Sequence, residues 1–228
     1  MELSYRLLKI ASMVENCRCL ADIGTDHAYI PITLIKDKKC LKAIASDINK
    51  GPLEKAISNI NTENLNEKVE VRLGGGLSVL KPFEAEAAII AGMGGNLIRD
   101  IISEEIEVFK SLRYCIVQPV QNPEVLREYI YAMGFDILDE ELVIEENKFY
   151  EIIKIAYNNK PKTIEDIYYE VGEKLIDKNH PLLKEFLLSK LNKYTSIKEK
   201  LSDNTLSSQS RKTEITDKIR KLKGLINL

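Results

Sequence analysis

The stretch Cys19-Leu-Ala-Asp-Ile-Gly-Thr-Asp-His-Ala-Tyr-Ile-Pro31 decides the fold of this chain. Apolar residues lead into Asp22, Gly24 follows, and a helical pattern opens near Pro31. This order is typical of a first β-strand, a tight turn and a first α-helix beneath a nucleotide-like ligand. Because glycine has no Cβ, the backbone can approach that ligand, and the free N–H groups at the helix start face it.

The same turn narrows the choice of ligand. It is not the dinucleotide pattern G-x-G-x-x-G, because Asp26 stands where the second glycine belongs. A cofactor with a cationic or zwitterionic group near Asp22 fits better, and S-adenosylmethionine is such a cofactor. An α/β turn without any ligand remains the alternative at this point.

Two further features of the first half indicate a nucleotide-like ligand. A second strand, Leu41 to Asp47, ends in a carboxylate 23 positions after Gly24. That is the spacing at which nucleotide-binding α/β proteins place an acid for the ribose hydroxyls. A third strand, Val69 to Leu73, ends in Gly74-Gly-Gly76, which indicates either a ligand close above the backbone or a plain flexible turn.

The later pattern completes a sheet. Residues 87–91 form a continuous apolar run, typical of a central parallel strand, and end in Gly92-Met-Gly-Gly95. A fifth strand, residues 114–118, is followed by two extended segments, 135–144 and 148–157, that read as an antiparallel hairpin. We therefore expect an α/β fold with a Rossmann-like, seven-stranded sheet, parallel but for one strand. This pattern favours a class I methyltransferase over a dehydrogenase.

The remainder of the chain has a helical pattern. We expect a methyltransferase domain at residues 1–158 and an all-α domain at 159–228, with one short helix over 164–177 followed by two long helices. Apolar residues at coiled-coil spacing form two seams, separated by a break at 203–208, so the long helices should fold back as an antiparallel hairpin. The seam residues are Leu183, Leu187, Leu191, Tyr194, Ile197 and Leu201, then Ile215, Ile219, Leu222 and Ile226.

The charge of the chain is unevenly distributed. Of its 228 residues, 1–159 carry 18 Lys or Arg against 25 Asp or Glu, a net charge of −7. Residues 160–228 carry 15 against 10, a net charge of +5, so the whole chain has a net charge of −2. A basic appendage on an acidic body is expected of an enzyme whose substrate is a polyanion. A solvated, lysine-rich helical surface has the same composition.

Other features bound the compartment and the partners. No apolar run approaches the ~20 residues that cross a bilayer, and the N-terminal stretch is unlike a signal peptide. Four cysteines without a C-x-x-C pair predict buried, reduced thiols and no metal site. We expect a cytoplasmic protein without a membrane partner or a metal, and a monomer, with a dimer as the alternative.

Taken together, several motifs resemble the bacterial tRNA (adenine-22-N1)-methyltransferases. They are Asp22-Ile-Gly-Thr-Asp-His-Ala-Tyr-Ile-Pro31, Ala91-Gly-Met-Gly-Gly95, Gln118-Pro119 and Asn147-Lys-Phe-Tyr-Glu151, with a helical C-terminus of the same architecture. The resemblance covers essentially the whole chain. It implies an S-adenosylmethionine-dependent enzyme that methylates N1 of an adenine in the D-arm of tRNA.

The resemblance also implies roles for cofactor-binding residues. Asp22 would accept from the methionine ammonium group, Asp47 from the ribose hydroxyls, and Ile48 would cover one adenine face. The family usually carries a polar side chain between the glycines after strand three, whereas this chain has Gly75. Recognition of the adenine at that turn would therefore fall to backbone groups. The glycines that let the cofactor settle would be Gly24, Gly74, Gly75 and Gly92.

The candidate catalytic residues lie beside the cofactor turns. Asp26 would accept from adenine N6, Tyr29 would stack on the target base, and His27 lies between them in the motif. Met93 takes the place of the N/D-P-P-Y element of methyltransferases that act on exocyclic N6, which is consistent with attack by a ring nitrogen. Arg6 would approach a phosphate or the substrate base, or else form a surface salt bridge.

Two other functions remain open from the sequence. One is a class I methyltransferase for a small molecule, whose helical tail serves only for assembly and which works without RNA. The other is a catalytically silent RNA-binding protein on the same fold, which would bind RNA without binding the cofactor.

Overall fold

A computed structural model describes residues 3–201 and 205–227 of the chain. Contacts divide the chain into two units, Met1–Thr163 and Ile164–Leu228. The first unit contains seven strands, in chain order: β1 Cys17–Ile23, β2 Cys40–Asp47, β3 Val69–Leu73, β4 Ala87–Met93, β5 Tyr114–Pro119, β6 Phe135–Glu145 and β7 Lys148–Tyr157. Its helices are α1 Tyr5–Ser12, α2 Tyr29–Lys36, α3 Lys50–Thr62, α4 Gly95–Glu104, α5 Ile106–Ser111 and α6 Pro123–Ala132, with a 3₁₀ turn at Gly76–Val79.

The strands form one sheet in the order β3-β2-β1-β4-β5-β7-β6. Strand β7 runs antiparallel to both of its neighbours, and every other neighbouring pair is parallel. This is the seven-stranded sheet with one antiparallel strand that the pattern predicts. Strand β4 lies at its centre, and the side chains of residues 87–90 are fully buried, which explains their uninterrupted apolar run.

The carboxyl ends of β1, β2 and β4 lie side by side because these strands are parallel neighbours. Asp22 is paired in register with Ala45 of β2 and with Ile89 of β4. The strand order changes direction between β1 and β4, since the chain first builds outward to β3 and then returns. Open α/β sheets bind their ligands at such a switch point, beyond the carboxyl ends of the strands.

The outer strands of the first unit enclose a buried ionic cluster. The guanidinium of Arg127, on α6, is fully buried and donates from Nε to Glu140 Oε1 at 2.7 Å and from Nη2 to Glu151 Oε2 at 2.6 Å. The two carboxylates belong to β6 and β7, so this cluster ties α6 to the antiparallel hairpin.

The second unit is helical, with α7 Asp166–Val171, α8 Glu173–Asp177, α9 Leu183–Lys200 and α10 Leu206–Ile226. The single short helix predicted over 164–177 is wrong in one respect: Gly172, with φ of +92°, separates α7 from α8. Tyr194 of α9 contacts Lys218 of α10, whereas Lys198, one turn later, lies beside Gln209 and Lys212. The two helices therefore run antiparallel, as predicted.

The seams between α9 and α10 are partly as predicted. Leu187, Tyr194, Ile215 and Leu222 are buried, but Phe186, which no seam included, is buried as well. The remaining predicted seam residues are only half-buried, so the apolar stripe is shorter than a coiled coil would have. The predicted break at 203–208 lies partly outside the described residues, and α10 already begins at Leu206.

Candidate active site

The turn after β1 is held against β2 by its own backbone. The N–H groups of Gly24 and Thr25 both donate to the carbonyl oxygen of Ser46, at 2.8 and 2.7 Å. Gly24 has φ of +78°, and a Cβ at this position would collide with Met93 Cε. The left-handed torsion favours glycine here, and a Cβ would in addition require the flexible end of the Met93 side chain to move.

Asp22 is the last residue but one of β1 and is almost fully buried, at 7% exposure. Burial raises the pKa of Asp22 to about 6, a hydrogen bond from the Thr25 hydroxyl lowers it in part, and the Asp47 carboxylate raises it further. No Lys or Arg of the described residues forms an ion pair with it. A buried carboxylate without a counter-ion favours a cationic ligand.

Two clefts open at the carboxyl edge of the sheet. The first, here called the Asp22 cleft, has a volume of about 310 Å³; the second, the Asp47 cleft, has a volume of about 450 Å³. Both are lined by Gly24, Ala91 and Gly92, so they meet over the turns after β1 and β4. A ligand in one cleft can therefore reach a ligand in the other across a bare glycine backbone.

The Asp47 cleft combines one carboxylate with apolar walls. Asp47 Oδ1 accepts from the backbone N–H of Asn49 at 2.7 Å, which fixes the carboxylate at the end of β2. Ile48 is 71% exposed, lies next to Gly75, and shares the cleft with Leu97, which is also exposed. Exposed aliphatic side chains on either side of a glycine turn suit a flat, partly apolar ring system.

The Asp22 cleft carries a polar and aromatic cluster. His27 Nε2 lies 3.2 Å from Asp26 Oδ2, and the rings of His27 and Tyr29 stack with centroids 4.9 Å apart and planes 9° apart. Asn59 of α3 donates from Nδ2 to the backbone oxygen of His27 at 3.0 Å. Asp26 is largely exposed, so its carboxylate can accept a hydrogen bond from a molecule that enters the cleft.

Arg6 lines the same cleft from helix α1. Its Nη1 donates to Gln118 Oε1 at 2.6 Å, its Nε donates to Glu145 Oε2 at 3.3 Å, and the guanidinium carbon lies 5.0 Å from the centroid of the Tyr150 ring. The contact with Glu145 is an ion pair, as one of the sequence alternatives had it, but it lies at the cleft rather than on open surface. The roles of Gln118 and Glu145 were not predicted from the sequence, although Gln118 lies next to the end of strand β5.

The structure brings the twelve residues predicted from the sequence together at the two clefts. Arg6, Asp26, His27 and Tyr29 line the Asp22 cleft with Asp22 itself. Asp47, Ile48, Gly74, Gly75 and Met93 line the Asp47 cleft, and Gly24 and Gly92 line both. Among the five predicted catalytic residues, Met93 is the one that lines the Asp47 cleft, together with predicted cofactor-binding residues. The roles of all twelve stay predictions.

The four cysteine thiols lie on strands β1, β2 and β5. All four cysteines are free, but Cys19 is only half-buried, because it lies on an exposed part of β1. Cys17 Sγ and Cys40 Sγ lie 3.1 Å apart between paired strands. Across residues 3–201 and 205–227, no group of three or more His, Cys, Asp or Glu could hold a metal ion. No helix in the described part of the chain is both long enough and apolar enough to span a membrane.

Comparison with known proteins identifies the family. The family model described as tRNA (adenine(22)-N(1))-methyltransferase matches residues 20–224 of this chain. The chain belongs to this family. The tRNA (adenine(22)-N(1))-methyltransferase of Bacillus subtilis is 31% identical over 234 residues, which cover 100% of this chain and 98% of that protein. The solved structure of the B. subtilis enzyme matches with a TM-score of 0.89, at 30% identity and 99% coverage of each chain.

Two more solved structures of relatives contain the cofactor or its product. Streptococcus pneumoniae Sp1610 in complex with S-adenosyl-L-methionine matches with a TM-score of 0.88 at 29% identity, covering 99% of this chain and 100% of that one. M. capricolum TrmK in complex with S-adenosyl-homocysteine matches with a TM-score of 0.86 at 27% identity, covering 100% of this chain and 99% of that one. The predicted family, class I methyltransferase fold, enzyme class and S-adenosylmethionine cofactor are thereby confirmed at the level of the family.

Proposed function

We propose that this protein transfers the methyl group of S-adenosylmethionine to N1 of adenine 22 in the D-arm of tRNA. The observation that carries the proposal is the pair of clefts that meet over Gly24 and Gly92. One cleft has the groups expected for a nucleoside cofactor, and the other has groups suited to a purine base. Methyl transfer needs the acceptor nitrogen, the methyl carbon and the sulfur in line, which two joined clefts allow.

The residues present fit the cofactor. Asp22, buried and without a cationic partner among the described side chains, would accept from the methionine ammonium group. Asp47 would accept from the ribose hydroxyls, and Ile48 would cover the adenine ring. Gly75 offers no side chain for the adenine edge, so the backbone of residues 74–76 would recognise it. When bound, the sulfonium supplies an activated methyl group, and the protein's task is to align the two reactants.

The Asp22 cleft would hold the methionine end of the cofactor at Asp22 and receive the target base beside it. In a duplex, adenine N1 is engaged in pairing, so the base must be unpaired or flipped out before it can react. Tyr29, already parallel to His27, would stack on the base, and Asp26 would accept from its N6 amino group. Because N1 carries its own lone pair in the ring plane, no strong general base is required for the transfer.

The helical domain at residues 159–228 would contact the rest of the tRNA. Lys190 and Lys218 pair with the buried Glu170, so they serve packing of this unit rather than RNA. A groove between α9 and α10 includes Lys198, Lys212 and Arg220, whose positive charges suit phosphates, although Arg220 also pairs with Asp217 of the same groove. The seams of α9 and α10 cover each other within one chain, so we expect a monomer. A tRNA substrate places the enzyme in the cytoplasm.

The proposal is tested by methylating unmodified tRNA with the purified protein and analysing the nucleosides by mass spectrometry. We expect 1-methyladenosine, and its loss with Asp22→Ala. Finding N6-methyladenosine would keep the fold but contradict the assignment of a ring nitrogen. Finding no methylated nucleoside, although the cofactor binds, would favour the small-molecule methyltransferase; RNA binding without cofactor binding would favour the silent RNA-binding protein.

A further inference from the structure

The guanidinium of Arg6 is held on two sides and open on the third. Its Nε is bound by Glu145 and its Nη1 by Gln118, while its face lies against the Tyr150 ring. Among residues 3–201 and 205–227, no acceptor forms a hydrogen bond with Nη2. One end of the fork is therefore available to a ligand in the Asp22 cleft, which Arg6 lines.

The groups that hold Arg6 are themselves fixed. Gln118 is fully buried, and its Nε2 donates to the carbonyl oxygen of Pro119 at 3.0 Å, which turns its Oε1 toward Arg6. Burial raises the pKa of Glu145, but hydrogen bonds from the Ser4 hydroxyl and from the Arg6 N–H and guanidinium outweigh it, so the pKa lies below its usual range. Glu145 is thus charged at neutral pH, and it binds both the backbone and the side chain of Arg6.

The charge of the cleft indicates what the free end of Arg6 binds. Asp22 and Asp26 both line this cleft, and Arg6 is the one Lys or Arg among the described residues that line it. A nucleotide that enters brings a phosphate, which the exposed Asp26 carboxylate repels, whereas the Asp22 carboxylate would be paired with the ammonium group of the cofactor. A guanidinium with an open end is a strong phosphate ligand, because its N–H groups form charge-assisted hydrogen bonds.

The chemistry of the reaction favours the phosphate over the base. Methylation at N1 converts a neutral adenine ring into a cation, since the nitrogen lone pair forms the new bond. A guanidinium against the ring would oppose that developing positive charge. The same guanidinium on the phosphate places opposite charges together and leaves the ring to Asp26 and Tyr29.

We propose that Arg6 binds a phosphate next to the target adenosine, and that Gln118 and Glu145 are positioning residues that hold its guanidinium at the mouth of the Asp22 cleft. This inference rests on the proposed function, because it requires an RNA substrate. Arg6 would then contact the phosphate backbone of the RNA and would not distinguish one base from another.

The test combines a substitution in the enzyme with removal of the charge of a single phosphate in the RNA, and compares their separate and joint effects on the rate. Two tRNAs are assembled by ligation, with a neutral methylphosphonate either 5′ or 3′ of the target adenosine. A 2′-deoxy sugar at the preceding nucleotide prevents strand cleavage and is also present in the matched unmodified RNA. Single-turnover methylation is measured for the wild type and for Arg6→Ala on each RNA, and tRNA affinity is measured separately.

We expect neutralisation of one phosphate to slow the wild type about 10–100-fold, the value of one charge-assisted hydrogen bond, and to slow Arg6→Ala less than about threefold. Lys9→Ala is the matched control, because Lys9 is another cation of α1 that pairs with β6, through Glu141 at 3.1 Å. Neutralisation of the phosphate should slow Lys9→Ala as much as it slows the wild type. In Gln118→Met, neutralisation of the phosphate should slow methylation less than in the wild type, while the affinity for S-adenosylmethionine stays unchanged. The difference between the two enzymes is the coupling to the phosphate.

The outcomes separate this inference from the proposed function. If the wild type does not methylate the unmodified RNA, the proposed function has failed. If it does, but neither phosphate affects its rate, or both affect Arg6→Ala as much as the wild type, Arg6 does not bind a phosphate. The wild-type measurement on the neutral RNAs stands even if Arg6→Ala does not fold. Unchanged coupling in Gln118→Met would remove the positioning role of Gln118.

Discussion

Replacing Asp22 by Asn should stabilise the free protein and weaken cofactor binding at the same time. Asp22 is almost fully buried, and burial raises its pKa from 3.8 to about 6. A carboxylate held in this way is unfavourable in the folded state unless a cation binds it. Asn keeps the shape and the hydrogen bond to the Thr25 hydroxyl but carries no charge.

The size of the effect follows from the pKa. The rise in the pKa of Asp22 from 3.8 to about 6 corresponds to about 3 kcal/mol. Because the pKa of Asp22 is raised in the folded state, its carboxylate does not destabilise the wild type below pH 3.8. The destabilisation grows as the pH rises toward 6 and is constant above that. Asp22→Asn should therefore raise the free energy of unfolding by up to about 3 kcal/mol at pH 8 and by little at pH 4.

The assay is thermal unfolding at pH 4, 6 and 8 together with calorimetric titration of S-adenosylmethionine. For a unit of this size, about 3 kcal/mol corresponds to roughly 6–12 °C in Tm. Cofactor affinity should fall about 10–100-fold in Asp22→Asn, and the decline in wild-type affinity below pH 6 should be absent from the variant. Asp26→Asn is the matched control, because that carboxylate is 74% exposed and its removal should change the Tm little.

A variant that is no more stable than the wild type at pH 8 would refute the role of Asp22 as a buried charge that destabilises the free protein and binds a cation. Equal affinity of Asp22→Asn and the wild type for S-adenosylmethionine would also refute it, because the buried charge would then have no cationic ligand.

Three further substitutions have expected outcomes. Gly24→Ala should weaken S-adenosylmethionine binding at least tenfold by calorimetry, because alanine is strained at a φ of +78° and its Cβ would displace the Met93 side chain that lines the Asp47 cleft; unchanged affinity would show that the turn tolerates a side chain. Tyr29→Ala should lower kcat/KM for tRNA about tenfold or more without changing cofactor affinity, because a stacked base contact is lost; a lowered cofactor affinity would place Tyr29 elsewhere. Arg127→Met should lower the free energy of unfolding by about 3–5 kcal/mol in denaturant melts, because Glu140 and Glu151 stay buried without a cation; a change below 1 kcal/mol would show that the carboxylates are protonated or hydrated.

Features that depend on neighbouring residues could be predicted from the sequence. The turn after β1 follows from a buried strand, an acid and a glycine within a few residues, and its φ of +78° explains why glycine is needed. The number of strands and the single antiparallel strand follow from alternating strands and helices with a terminal hairpin. Asp47 could be placed at the ligand edge because the carboxyl ends of parallel strands meet there.

Features that depend on residues far apart in the chain could not be predicted from the sequence. Arg6 lies 112 residues from Gln118 and 139 from Glu145, so nothing local shows that the three meet. The split at Gly172 depends on one backbone torsion that helical periodicity does not report. Burial of Phe186 depends on the helices packed against α9, whereas the heptad pattern considers only regular spacing.

The central claim is methylation of N1 at adenine 22, and reverse transcription tests it most directly. A methyl group on N1 blocks Watson–Crick pairing, so the copying enzyme stops beside the modified base. We predict a strong stop one nucleotide 3′ of position 22 after treatment with the protein and S-adenosylmethionine, absent with Asp22→Ala and with a tRNA that carries guanine at position 22. A stop at another adenine, or methyl incorporation into the tRNA without any stop, would contradict the account.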